Sequence, residues 1–190
     1  MKAISTFLLL FSLLLVSCNS KPSLQKYFVD NNENKDFVAL DVSPTILNID
    51  KTKLSVEQNK AVASFEKMNI LAFKIDGKNN AKYEIEKAKV GTILKDEKYQ
   101  QLMKFDAGKN GGASVSFVGE DDEHIQEFVL FANKKENGFA VVRVLGKDMN
   151  PTAIMTLLSL MKDSKLSKLV YNVPWLQEVA NFGTLYFPLR

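Results

Sequence analysis

The sequence predicts an α+β fold: one domain in which a mostly antiparallel β-sheet is packed by helices on one face. Three observations lead there. Ala113, Val115 and Phe117 alternate with Ser114 and Ser116, the period of a half-buried strand. Two apolar runs, Ile125 to Asn133 and Phe139 to Leu145, flank Asn137-Gly138, a dipeptide suited to the positive φ angles of tight hairpin turns. Apolar residues at helical spacing occur both before these strands and after them, and short antiparallel strands between helices are the order of an α+β domain.

The chain starts with Lys2 and a thirteen-residue run, Ile4 to Val16, interrupted only by Ser5, Thr6 and Ser12. A basic start followed by a short apolar stretch reads as a secretory signal. Spanning a bilayer takes roughly 20 apolar residues, so this run is short for a transmembrane helix. It ends in Leu15-Val16-Ser17-Cys18, which resembles the lipobox of bacterial lipoproteins: a small residue precedes a cysteine that is acylated and becomes residue one. Cys18 is the only cysteine of the chain, so no intrachain disulfide can form, and lipidation supplies a reason for a lone cysteine in an exported protein. An ordinary cleaved signal that happens to contain a cysteine is the other reading. Acyl chains add roughly 0.8 kcal/mol per buried CH₂, and two or more hold stably, so the expectation is a permanent tether to the membrane.

Removal of residues 1–17 leaves 173 residues, the size of a single domain, and takes away one Lys and no acid, so the formal charge falls from +3 to +2. Twenty-three Lys stand against two Arg and one His, with Lys and Glu interspersed rather than blocked. That pattern is a solvated surface, and together with export it excludes a nucleic-acid partner.

Residues 18–35 read as lipidated Cys18, a polar tether and a short helix at about 22–30. Asp30-x-Asn32-x-Asn34 imitates the opening of a calcium loop, but Lys35 replaces the turn glycine and Asp41, at the twelfth position, lies in an apolar strand, so a solvated linker is the better reading. The α+β domain is expected over residues 36–161. Phe37 to Val42 is its first strand, stopped at Ser43-Pro44. Ser55 to Met68 is read as an amphipathic helix capped by Ser55, and Asn69 to Ile75 as a second strand ending in the turn Asp76 to Asn80. A helix follows from Ala81 to about Leu94, and another from Asp96, where Tyr99, Leu102 and Met103 stand at i, i+3 and i+4. Lys104 to Ala107 can pair with Ala113 to Val118 across the Gly108–Gly112 loop. Phe128 to Ala132 is apolar on both faces and should be a central strand. Asn150-Pro151 opens the last helix, with Asn as cap and Pro in the first turn, and Ile154, Leu157, Leu158 and Met161 form its buried face.

Residues 162–190 carry Tyr171, Trp175, Phe182, Tyr186 and Phe187. These aromatics either fold back over the domain or add an edge strand to it, or they form a docking segment for a partner or a membrane surface, where aromatic anchors dominate binding energy.

Lys67-Met-Asn-Ile-Leu-Ala-Phe73, Leu94 to Met103, Ile125 to Leu130 and Val144-Leu-Gly146 resemble the landmarks of the domain of unknown function 4252, over about residues 36–161. The resemblance implies an envelope lipoprotein of Gram-negative bacteria and, since that family has no established activity, ligand or catalytic residues, it assigns none here.

No catalytic constellation emerges from the residues. His124 is the only imidazole and lies among Glu120, Asp121, Asp122 and Glu123, a set that reads as a solvated turn before it reads as a metal or acid–base site. Gly108-Lys109-Asn110 lacks the hydroxyl residue and the following helix of a phosphate loop. Glu84 and Glu86 stand two apart on a helix and face different ways. The expectation is therefore a protein without catalytic residues, cofactor or metal: a lipid-anchored module of the bacterial cell envelope, held at the inner or outer membrane and most naturally periplasm-facing, that binds a protein partner or serves envelope homeostasis. The alternative is a small-molecule or lipid binding module with a pocket between sheet and helices.

Overall fold

The computed structural model describes residues 21–45, 50–106, 108 and 111–162. Six strands form one antiparallel sheet: β1 (Phe37–Val42), β2 (Phe65–Lys74), β3 (Gln100–Asp106), β4 (Gly111–Gly119), β5 (Ile125–Lys134) and β6 (Gly138–Met149), in the spatial order β1-β2-β6-β5-β4-β3. The described helices are α1 (Leu24–Asn31), α2 (Val56–Ser64), α3 (Asn80–Ile93) and α4 (Pro151–Lys162). This is the α+β class that the sequence predicts. β3 to β6 form a meander, and α3 carries the chain from β2 to the far edge, where β3 starts.

The helices do not share one face of the sheet, as expected; they cover both. Leu71, Phe73, Val129, Phe139 and Val141 point towards α1 and α3, where they meet Leu24, Tyr27, Tyr83, Val90 and Ile93. Their chain neighbours Met68, Ile70, Ala72, Val142 and Val144 point the other way, into a second core with Ala61 and Val62 of α2 and Ile154 and Leu157 of α4. Successive strand residues alternate sides, so strands apolar at both parities need cover on both sides. The two-sided apolarity of Phe128 to Ala132 reflects that, as well as the strand's interior place between β4 and β6.

Local chemistry sets the element starts. Ser23 caps α1, its hydroxyl accepting from the Lys26 N–H at 3.2 Å. α2 has a capping box in which Ser55 accepts from Gln58 N–H and the Gln58 side chain accepts from Ser55 N–H. Asn150 accepts from Ala153 N–H at 2.8 Å, and Pro151 opens α4. Gly138 takes φ +128° in the β5–β6 hairpin, and a β-carbon there would overlap the Phe73 carbonyl of β2.

Three local expectations are corrected. α2 ends at Ser64, and Phe65 to Met68 belong to β2, because pairing with β1 and β6 satisfies that backbone and buries Phe65 and Met68. Residues from Gln100 form edge strand β3 rather than a helix; Tyr99 is buried on the α1/α3 side, Leu102 is 37% exposed, and Met103 packs on the opposite core. Pairing with β4, through a register shift between Gln101 and Met103, overrides a weak helical stripe. The packed body also begins at α1, with Leu24 fully buried, rather than at residue 36.

Candidate functional site

The α1/α3 side of the sheet divides into an apolar and a polar half. In the apolar half, Phe73 stacks on Phe139 at 5.5 Å and meets Phe37 edge-on at 5.2 Å. In the polar half, Asp41 of β1 lies opposite Asn69 of β2, and Asn69 lies opposite Arg143 of β6. Among the described residues the buried polar side chains Asn31, Asn69, Glu86, Ser116 and Arg143 all belong to this side, by helix position or strand parity.

A cleft of about 220 Å³ opens over that half, between α1 and β1. Gln25, Phe28 and Val29 of α1, continued by its C-cap Asn32 on the same stripe, form one wall; Ala39 and Asp41 of β1 form the other. Asn69 and Arg143 make its floor, each about 5% exposed, and Lys67 stands exposed at its mouth. Arg143 Nε donates to Glu127 Oε1 at 2.8 Å, and the Phe28 ring covers the guanidinium at 5.5 Å. Among the described residues the hydrogen bond of the Arg143 side chain is made by Nε and none by its two Nη nitrogens, and Arg143 lines the cleft. Asn69 Nδ2 donates to the Asp41 carboxylate. The cleft thus combines two cations, one carboxylate, three amide side chains and a short apolar wall.

On the same side of the sheet, the Tyr99 hydroxyl is buried without a hydrogen-bond partner among the described residues. Burial raises its pKa, the Glu127 charge adds to the rise, and Arg143 opposes it. On the helix side the Tyr27 hydroxyl donates to Glu86 Oε2 at 2.8 Å, and Lys89 Nζ donates to Glu86 Oε1 at 2.8 Å.

The residues singled out in the sequence fall elsewhere. Cys18 and the aromatics Tyr171, Trp175, Phe182, Tyr186 and Phe187 lie outside the described residues. His124 sits in the exposed β4–β5 turn with Nδ1 2.8 Å from Asp121 Oδ1; that hydrogen bond and the Asp121 charge raise its pKa and lower that of Asp121. Among the described residues no three His, Cys, Asp or Glu side chains converge to hold a metal ion. Glu84 pairs with Lys87 at the surface while Glu86 turns inward, so the two diverge as their spacing requires. No described helix is long and apolar enough to cross a membrane.

Arg143 and Asn69 escaped the sequence reading. The available signal was polar residues inside apolar strands: Arg143 interrupts Phe139 to Leu145, and Asn69 interrupts Met68 to Phe73. What hid them is that two-residue alternation cannot say which parity faces an open cleft.

Comparison with known proteins matches the family model described as "Domain of unknown function (DUF4252)" over residues 27–157. No curated protein and no solved structure matches the chain.

Proposed function

The chain belongs to the DUF4252 family, and from its sequence and architecture we propose that it is a non-enzymatic binding module of the bacterial cell envelope, lipid-anchored through Cys18, that meets an envelope protein partner. The observation that carries this reading is the spacing between anchor and body. Ser23 caps α1 only five residues after Cys18, and Leu24 is already fully buried. An extended chain spans at most about 3.6 Å per residue, so the body would stand within about 18 Å of the acylated cysteine. Such a module works at the membrane surface rather than at the end of a long stalk. The aromatics Tyr171, Trp175, Phe182, Tyr186 and Phe187 are proposed as part of the partner contact.

As a lipid carrier the fold is less suited. Among the described residues, each face of the sheet carries a packed apolar core. The 220 Å³ cleft has a polar floor and is smaller than the roughly 300–1,000 Å³ of ordinary ligand pockets. The cleft supports contact with a short polar segment instead.

Labelling cells with an alkynyl fatty acid tests the anchor: wild type should carry label and sediment with membranes, and Cys18→Ala should do neither. Crosslinking of the tagged full chain in intact cells, beside a version truncated after Met161, tests the partner. Capture of one envelope protein by the full chain supports the module, and its loss on truncation assigns the contact to the tail. Label on the Cys18→Ala variant overturns the anchor, and no specific capture by the full chain overturns the interaction role.

A further inference from the structure

We infer that the cleft between α1 and β1 recognises the C-terminal carboxylate of an extended peptide belonging to a partner protein, an assignment that deepens the binding-module reading and rests on it. The Arg143 side chain is about 95% buried; among the described residues its Nε is matched by Glu127 and its Nη pair by none. A guanidinium fork held in place by an ion pair on one edge and an aromatic ring on its face is pre-oriented for a bidentate carboxylate. Lys67 at the mouth has no ion-pair partner among the described residues and adds a second positive charge. Asp41, held by Asn69, supplies an acceptor for the peptide N–H groups that precede a terminal carboxylate.

The walls suit the same occupant. Phe28, Val29 and Ala39 offer a small apolar surface for one side chain, while Gln25 and Asn32 can pair with peptide groups. The cleft's volume holds a terminal fragment and excludes a folded surface. β1 is the edge of the sheet, paired only with β2 among the described residues, so its outer backbone groups lie beside the cleft. An extended peptide can cross that edge into the cleft and set its end on Arg143, a form of carboxylate capture.

Dye-labelled hexapeptides ending in valine, leucine or alanine, each with a free and with an amidated C-terminus, test this by fluorescence anisotropy on the full chain in detergent micelles. The expected result is saturable binding of at least one free-acid peptide, weakened at least about tenfold by amidation, the loss of one charge-assisted pair. Lys67→Glu, at an exposed position that cannot disturb folding through burial, should weaken the free acid by a similar factor and leave the amide unchanged. Arg143→Lys keeps the charge for Glu127 but loses the fork, and should weaken the free acid with the circular-dichroism melt still cooperative. A photoreactive residue next to the peptide's last should crosslink to α1 or β1. Equal binding of acid and amide, insensitivity to Lys67→Glu, crosslinks elsewhere, or no saturation by any peptide at millimolar concentration each overturn the assignment. A partner captured in cells while every free-acid peptide fails would sink this site and leave the binding module standing; failure of the capture experiment would sink the module itself.

Discussion

The Tyr27 hydroxyl donates to Glu86 Oε2 at 2.8 Å, joining α1 to α3 across 59 positions of sequence. Burial and the neighbouring carboxylate both raise the Tyr27 pKa, which favours the protonated, donating phenol. Glu86 is 5% exposed and divides its oxygens between Tyr27 and Lys89. Tyr27→Phe leaves one oxygen of a buried carboxylate unmatched, which costs about 1–3 kcal/mol. At this chain length that lowers Tm by about 2–4 °C per kcal/mol, readable in a calorimetric scan. Because α1 walls the cleft, the same variant should also weaken whatever binds there.

The matching substitution at Tyr99 should have the opposite sign. Its hydroxyl is buried and makes no well-formed hydrogen bond among the described residues, with only the Leu24 backbone near enough to offset part of its desolvation cost. Tyr99→Phe keeps the ring and removes that cost. Its Tm should equal or exceed that of wild type, by up to about 1 kcal/mol of stability. A clear loss of Tm would mean that the hydroxyl has a bound water or other partner in solution.

Gly138→Ala tests the seam between the β5–β6 hairpin and β2. At φ +128° a β-carbon is strained, and it would overlap the Phe73 carbonyl. The two effects should together remove about 3 kcal/mol or more, with a lower midpoint in urea. Gly77, also at positive φ but with nothing near a prospective β-carbon, should lose less on the same change.

Two surface pairs predict opposite pH dependences. The hydrogen bond from Lys82 lowers the Asp36 pKa from its ordinary 3.8, so this pair stabilises the fold fully above that value and is lost as pH falls through the lower, folded one. Asp36→Asn should therefore flatten the acid limb of stability. His124 is raised from 6.5 by its hydrogen bond to Asp121, so its contribution is complete below 6.5 and vanishes as pH rises through the higher, folded value. As the only histidine, its imidazole resonance can be followed directly by NMR. The midpoint should lie above 6.5 and return towards it in Asp121→Asn.

Much of the framework was legible because the signals were local. The caps Ser55 and Asn150, the Asn137-Gly138 hairpin and the alternation of Ala113 to Phe117 each depend on a few neighbouring residues, and each stands in the structure where the sequence puts it. Segments with mixed signals went the other way. Phe65 to Met68 fits a helical stripe as well as a strand, and only the ladder to β1 and β6 decides between them. Tyr99, Leu102 and Met103 have helical spacing by coincidence, since the extended chain from Tyr99 into β3 sends them to different surroundings.

The sequence by itself determined the α+β class, the order of most elements and the family, together with the expectation of a lipid anchor at Cys18, because periodicity, caps and short motifs are properties of adjacent residues. Tertiary structure alone decided that helices cover both faces of the sheet and that α1 belongs to the body. It alone brought Asp41, Asn69 and Arg143 into one row beneath Phe28. Those residues come from strands far apart in the chain, and no local pattern encodes which strands become neighbours. Their meeting depends on the sheet order β1-β2-β6, which the crossing of α3 and the burial of two opposed cores select together.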